Sequence, residues 1–395
     1  MGLNIRTRGR LMASAVAKTL IESACRLPGL DNEYHIKERL SGPWPQGPFL
    51  WLHGASLGEC RMLLGLAQIL KEDLPNCPAL LVTTQKAEVV SFLRESFAGV
   101  ADIAIAPADI PSVVETFLST TRPLGLILGE NELWPGYLST LSRISTKKNI
   151  ALVSGRYRRS FPFLDFSGMA LACMQTSCDL GRFSRISKGN VPCVVGGDWK
   201  LLSWAREGGK VQVPVNPTID VAFLSFHQEE SDAFWQMAKD CVESGKSVVL
   251  VPRRLSEIAN FRNCLNDAAL SVAEYPTVKP GAVSIVSRFG AVREILGMSK
   301  AAVVGGSFSR KLGIHDFWEP LQMGVATYVG PYSRGHEDTV ALLCEEKAVS
   351  RIRCAQEFLN CVQPLPERAQ AFLAIEKKKI LDSYSMLLKF LKELV

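Results

Sequence analysis

From Phe49 onward the chain repeats one device: a short apolar run of strand length breaks into a turn, and the turn enters a helical pattern. Strand-like runs fall at 49–53, 79–84, 102–106, 124–129, 149–154 and 191–196, with helical periodicity between most of them, as at 62–73 and 110–120. Continuous apolar runs separated by helices read as parallel strands, because parallel neighbours need a crossover and the helices then cover both faces of the sheet. The stretch Glu207-Gly-Gly-Lys-Val-Gln-Val-Pro-Val-Asn-Pro217, with two glycines and two prolines, interrupts the pattern and reads as a hinge. The pattern restarts at 221–225 and recurs at 247–251, 282–286, 301–304 and 326–329. The expected fold class is therefore α/β, with two doubly wound domains. Residues 31–206 form the first, 207–220 the hinge and 221–366 the second, and a helix-prone tail at 367–395 packs back at the junction.

Length agrees, since 395 residues exceed one ordinary core. The 11 cysteines include no Cys-x-x-Cys pair, which points to reduced thiols and to neither a zinc cage nor a disulfide framework. The formal charge of +6 is moderate but unevenly placed. Residues 1–30 carry Arg6, Arg8, Arg10, Lys18 and Arg26 against Glu22, in an interrupted apolar pattern. That combination reads as an amphipathic segment able to lie on an anionic bilayer surface, or simply to pack on the domain. A second basic run holds Arg143, Lys147, Lys148, Arg156, Arg158 and Arg159. Interleaved aromatics are few there, so phosphate or membrane is favoured over nucleic acid. No run reaches the ~20 apolar residues of a spanning helix.

Strand-end turns carry the candidate chemistry. Gly54-Ala-Ser-Leu-Gly58 matches the Gly-x-Ser-x-Gly elbow of α/β-hydrolases, with Ser56 as nucleophile and His315 and His336 downstream. The match falls on the first strong strand, however, and a single hydrolase sheet leaves the second strand set unexplained. In the competing reading Glu59, in the first turn of a helix, is kept ionised by the macrodipole and serves as a base, while Ser56, Gly58 and the nearby N–H groups receive an anion. An acid in the first helical turn is also ordinary capping chemistry. Glu130 and Glu132 are spaced i, i+2, which in extended backbone puts both on one face at a strand end. In the second half, Val248-Val-Leu-Val-Pro-Arg-Arg254 ends a strand with two guanidinium groups suited to phosphate. Ala301-Ala-Val-Val-Gly-Gly-Ser307 ends another with glycines that let a ligand approach the backbone. Walker A, Gly-x-Gly-x-x-Gly, His-Glu-x-x-His and Asp-x-Asp patterns are absent, so no metal and no cofactor is expected.

In order along the chain stand His53-Gly-Ala-Ser-Leu-Gly-Glu59, Thr83-Thr84, Glu130-Asn-Glu-Leu-Trp-Pro135, Arg156-Tyr-Arg-Arg-Ser160 and Gly197-Asp-Trp-Lys200. Val251-Pro-Arg253, Gly305-Gly-Ser307, Asp316-Phe-Trp-Glu319 and Gly330-Pro331 follow. This collinear set, over about residues 45 to 340, resembles the family of 3-deoxy-D-manno-octulosonic acid (Kdo) transferases, glycosyltransferase family 30. The resemblance implies two Rossmann-like domains facing a cleft, the GT-B arrangement, and inverting transfer of Kdo from CMP-Kdo to a primary hydroxyl of the lipid A precursor lipid IVA. It implies Glu59 as the base, with Glu130 and Lys200 stabilising the transition state and Arg156 toward the acceptor. CMP would sit against Pro252, Arg253, Phe289, Gly290, Ala291, Asp316, Phe317, Trp318 and Glu319. The implied location is peripheral, on the cytoplasmic face of the bacterial inner membrane, with an anionic membrane surface as partner and no nucleic acid. Three positions depart from the family pattern: Asp316 where it has Asn, Phe226 where it has Thr, and Ala291 where it has an acid. All three lie on the donor side, which leaves room for a third reading, a catalytically idle lipid-binding relative.

Overall fold

A computed structural model describes residues 35–157, 164–360 and 363–394. The basic lead at 1–30 and Arg158 and Arg159 of the second basic run lie outside them. The chain divides into two compact units, one running through Arg206 and resuming at Lys377, the other Glu207–Glu376.

The first unit is built on a seven-stranded sheet. Its strands are β1 (Phe49–Gly54), β2 (Leu80–Thr84), β3 (Asp102–Ile105), β4 (Pro123–Gly129), β5 (Ile150–Gly155), β6 (Met169–Met174) and β7 (Cys193–Val195). All neighbours are parallel, in the order β3-β2-β1-β4-β5-β6-β7. β1 lies inside the sheet between β2 and β4 and is buried along its whole length, which is why it reads as an unbroken apolar run. Trp51, in register with Leu81 of β2 and Leu126 of β4, packs its ring 4.6 Å from Phe117 and 5.1 Å from Tyr137, and these rings anchor the core on that face.

The second unit repeats the plan with β8 (Ile219–Phe226), β9 (Val248–Pro252), β10 (Val272–Glu274), β11 (Val283–Ile285), β12 (Ser299–Val304), β13 (Ala326–Val329) and β14 (Val349–Arg351). Its order is β10-β11-β9-β8-β12-β13-β14, again all parallel. Here the core is aromatic as well: Phe223, Phe226, Phe234 and Phe261 meet edge-on or tilted.

Three strands escaped the sequence pattern. β6, Met-Ala-Leu-Ala-Cys-Met, contains no β-branched residue, and its pairing with β5 overrides a helical propensity. β10 and β14 are three-residue edge strands, too short to show a period. The expected hinge at 207–220 also differs from what is observed. Ile219 and Asp220 already belong to β8, Gln212 N–H donates to Gln322 O at 2.9 Å, and Val213 packs on Gly324. This segment is docked on the second unit. The tail forms one helix, Pro366–Leu394, and the division between the units falls inside it.

The helix Pro135–Ile144 has no cap of its own at Trp134. Asp109, from the loop after β3, supplies one, its carboxylate accepting from Gly136 N–H at 3.1 Å and Tyr137 N–H at 3.0 Å. Gly136 is required there because an added Cβ would lie 2.5 Å from Asp109 Oδ1. Burial pushes the Asp109 carboxyl up to about 6 from 3.8, more than the two N–H bonds pull it down. A carboxyl raised in the folded state binds its proton more tightly there, so its burial costs stability above pH 6 and that cost is relieved as pH falls toward 4. Wild-type stability relative to Asp109→Asn should therefore rise by about 1–2 kcal/mol between pH 7.5 and pH 5. Denaturation of both proteins at the two pH values measures it, and a flat difference contradicts the assignment.

Candidate active site

In each sheet the direction of winding reverses beside the first strand, between β1 and β4 and between β8 and β12. Helices leave to opposite faces there, and the C-terminal strand ends border a crevice where α/β folds place ligands.

In the first unit β1 enters its helix, Leu57–Asp73, through Ser56. Ser56 Oγ accepts from Glu59 N–H at 3.3 Å, and Glu59 Oε2 accepts from Ser56 N–H at 2.7 Å, a reciprocal capping box. A Cβ on Gly54 would stand 2.9 Å from Glu59 Cβ, so glycine there lets the helix start close against the strand. Ser56 therefore serves the helix terminus. The other described histidine near it, His53, directs Nδ1 to Thr83 Oγ1 at 2.8 Å. His315 and His336 belong to the second unit, and two seven-stranded sheets replace the single hydrolase sheet. The hydrolase reading of Ser56 is overturned.

Across the crevice, Glu130 directly follows β4, is 1% exposed and adopts φ +48°. That left-handed conformation in a non-glycine residue costs on the order of 1 kcal/mol and persists only where the surroundings enforce it. The enforcement is visible: Glu130 N–H donates to Val153 O at 3.0 Å, and Arg156 N–H donates back to Glu130 O at 3.1 Å. Its carboxylate pairs with the Arg156 guanidinium on one oxygen and with Lys200 Nζ at 3.1 Å on the other. Lys200 is held from below by a buried polar network. Asp198 Oδ1 accepts from Lys200 N–H at 3.1 Å, and Ser154 Oγ joins Asp198, Gln175 and Trp199 N–H. Ser154 is itself in the left-handed region at φ +53°, at an irregularity in the β5 register.

The i, i+2 expectation fails for Glu132. The chain turns at Glu130 and Asn131, so the two carboxylates take separate partners. Glu132 Oε2 accepts from Trp134 Nε1 at 2.6 Å and lies 3.4 Å from His53 Nε2. Trp51 Nε1 donates to Thr83 Oγ1 at 2.8 Å, which leaves the Thr83 proton for His53 Nδ1 and favours the tautomer with N–H toward Glu132. Sequence reasoning missed this Trp51–Thr83–His53–Glu132–Trp134 chain, because its members are brought together only by register.

In the second unit β9 ends at Pro252, and Arg253 N–H donates to Phe226 O at 2.8 Å, leaving the arginine side chain exposed. Phe289 is 78% exposed, beside Gly290 at φ +79°, where the next helix begins. Asp316 caps the helix Trp318–Gln322 through Oδ1, accepting from Trp318 N–H at 2.8 Å and Glu319 N–H at 3.2 Å. Glu319 is raised by burial and then by Asp316, opposed by Arg293. Phe317, Trp318, Ala291 and Pro252 are buried, so their side chains shape the unit. The Gly305-Gly306 turn also differs from expectation. Its glycines admit the chain's own backbone, since a Cβ on Gly305 would stand 2.6 Å from Ser225 O and one on Gly306 2.2 Å from Gly313 O. His315 Nε2 lies 2.7 Å from His227 Nε2, and burial, then Arg253, then His227 push His315 down to about 3. Among the described residues, His227, Glu229 and Glu257 bring potential metal-ligand atoms within 4.8 Å of one another. Arg254 Nη1 lies 3.6 Å from Glu257 and offsets part of the charge a cation would meet.

Residues 34–202 match the family model described as 3-deoxy-D-manno-octulosonic-acid transferase (kdotransferase). The chain is 26% identical to the 3-deoxy-D-manno-octulosonic acid transferase of Aquifex aeolicus, over 79% of this chain and 84% of that protein. It is 23% identical to the enzyme of that name from Chlamydia trachomatis serovar D, over 77% and 74%. Among solved structures, the fold is similar to the UDP-GlcNAc 2-epimerase from Neisseria meningitidis, at TM-score 0.57, 11% identity and 88% and 100% coverage. It is also similar to Acinetobacter baumannii MurG, at TM-score 0.52, 8% identity and 88% and 100% coverage. The two solved structures establish the GT-B fold alone, and the fold hosts more than one chemistry. With the family match added, the chain is a glycosyltransferase. Within that class, the Kdo transferases are the family whose model its residues 34–202 match and whose members it resembles over most of its length.

Removing the charge of Glu130 leaves two cations facing each other in a largely buried place. Glu130→Gln should cost roughly 2–4 kcal/mol of stability. Glu132→Gln keeps an acceptor for Trp134 and should cost clearly less. Urea denaturation of both variants tests the order, and equal losses contradict the pairing.

Proposed function

We propose that the chain transfers Kdo from CMP-Kdo to a hydroxyl of a lipid A precursor with inversion, and that Glu59, Arg156 and Lys200 act directly on the substrates. The observation that carries this reading is the convergence of a capped glutamate and a two-cation cluster at the one switch-point crevice of the first unit. With Oε2 held by the Ser56 N–H, Glu59 keeps Oε1 for an acceptor hydroxyl. As the acceptor oxygen attacks the anomeric carbon and the bond to the CMP phosphate breaks, the hydroxyl proton passes to that carboxylate. Arg156 and Lys200 suit the anionic groups of both substrates, the sugar carboxylate and the lipid phosphates.

Glu130 takes a different part from the one the family resemblance implies. Already paired with two cations, it has little charge left to stabilise an oxocarbenium-like centre, and it serves to hold Arg156 and Lys200 in place. On the donor side Arg253 is an exposed cation suited to the departing phosphate. Asp316 is occupied by N–H groups, which moderates the repulsion a phosphate would meet from an acid where the family has Asn.

Among the described residues no helix is long and apolar enough to cross a membrane. We propose peripheral attachment at the cytoplasmic face of the inner membrane through the basic segment 1–30, each basic residue contributing about 1 kcal/mol near an anionic surface. Flotation with anionic vesicles should fall as salt rises, and attachment resistant to both salt and carbonate would contradict the proposal.

Incubation of purified protein with CMP-Kdo and lipid IVA, read by mass spectrometry of the lipid, tests the activity directly. An unchanged lipid with bound vesicles would favour the idle lipid-binding reading. Glu59→Gln should bind both substrates while turnover drops by roughly 10²–10⁴-fold. Near-normal turnover would remove Glu59 from the mechanism.

A further inference from the structure

The switch-point turn of the second unit is filled by the protein itself. Glu230, at the end of the short turn Gln228–Glu230 that follows β8, is 2% exposed. Its Oε2 accepts from His227 N–H at 3.1 Å and Gly306 N–H at 2.8 Å, and its Oε1 accepts from Phe308 N–H at 2.9 Å. Among the described residues no lysine or arginine pairs with it, so backbone dipoles alone balance its charge. Converging N–H groups at such a turn are what α/β folds offer to a phosphate.

We infer that Glu230 is a positioning residue for donor binding: a built-in anion that closes this N–H cluster and locks the loops after β8 and β12 together. The inference rests on the reading of the second unit as the CMP-sugar unit. The frame it closes is continuous. Gly305 N–H donates to Leu224 O at 2.8 Å, His315 N–H to Gly305 O at 3.1 Å and Arg253 N–H to Phe226 O at 2.8 Å. Gly330 N–H donates to Ser307 Oγ at 2.8 Å and Tyr332 N–H to Ser307 O at 2.9 Å. Arg253 and the segment leading to Asp316 and Glu319 thus hang from strand ends that Glu230 ties. It also follows that the donor phosphate meets side chains such as Arg253, because the backbone N–H groups are already taken.

Calorimetric titration of the full chain with CMP tests this, using wild type, Glu230→Ala, Glu230→Gln and Arg253→Ala. Bonds from N–H groups to a charged acceptor are worth enough that Glu230→Ala should weaken CMP by about 10–100-fold. Excess formate, a carboxylate small enough to enter the vacated site, should restore most of that loss. It should leave wild type and Arg253→Ala unmoved. Glu230→Gln retains one acceptor oxygen and should show a smaller loss, and it stands in if the alanine variant fails to fold. Unchanged or tighter CMP binding in the Glu230 variants overturns the inference. So does a loss in Glu230→Ala that formate does not reverse, which marks a merely structural residue. A wild type that binds no CMP instead removes the donor reading on which the inference stands.

Discussion

Two reversals of winding, between β1 and β4 and between β8 and β12, govern where chemistry can occur in this protein. At each one a strand end is left without a helix crossing over it, and backbone N–H groups, strained residues and polar side chains collect there. Glu130 and Ser154 in the first unit and Ser225 in the second all take positive φ at or beside such ends. Elsewhere the sheets are built of apolar strands buried on both faces, whose requirements leave little freedom for function.

Both openings are organised around a buried carboxylate, and the two are neutralised in opposite ways. Glu130 is matched by Arg156 and Lys200, so the carboxylate and its partners together carry a net positive charge. Glu230 is matched by three backbone N–H groups and contributes rigidity. A buried charge that lost its partners would cost several kcal/mol, so each carboxylate obliges its surroundings to keep one geometry. Precision of this kind suits a transferase, in which an incoming hydroxyl and a departing phosphate must lie in line and small misplacements cost rate.

Much of this is legible in the sequence alone. The alternation of apolar runs and helical patterns gave two parallel α/β units, since such runs have no other way to be buried. Glu59 read as an acid in the first turn of a helix after β1, and the Gly-x-Ser-x-Gly match there was a coincidence of neighbouring residues. Lys200 and Glu130 were singled out, but not their pairing, because 70 positions and three strands separate them. Asp109, Ser154 and Glu230 were not singled out at all. Each sits in unremarkable local sequence and acts on backbone groups of another segment.

The sequence by itself determined what depends on neighbours along the chain: strand and helix periods, the capping box at Ser56 and Glu59, and the order of motifs that marks the family. Tertiary structure alone decided which charges are spent. Phe317 and Trp318, plausible as ligand contacts in sequence, became core, and Gly305-Gly306 received the chain's own backbone. Glu130 and Glu132, two residues apart, were sent to a pair of cations and to a histidine and a tryptophan. The reason is that burial and pairing are set by register between distant strands, and a one-dimensional pattern holds no record of that register.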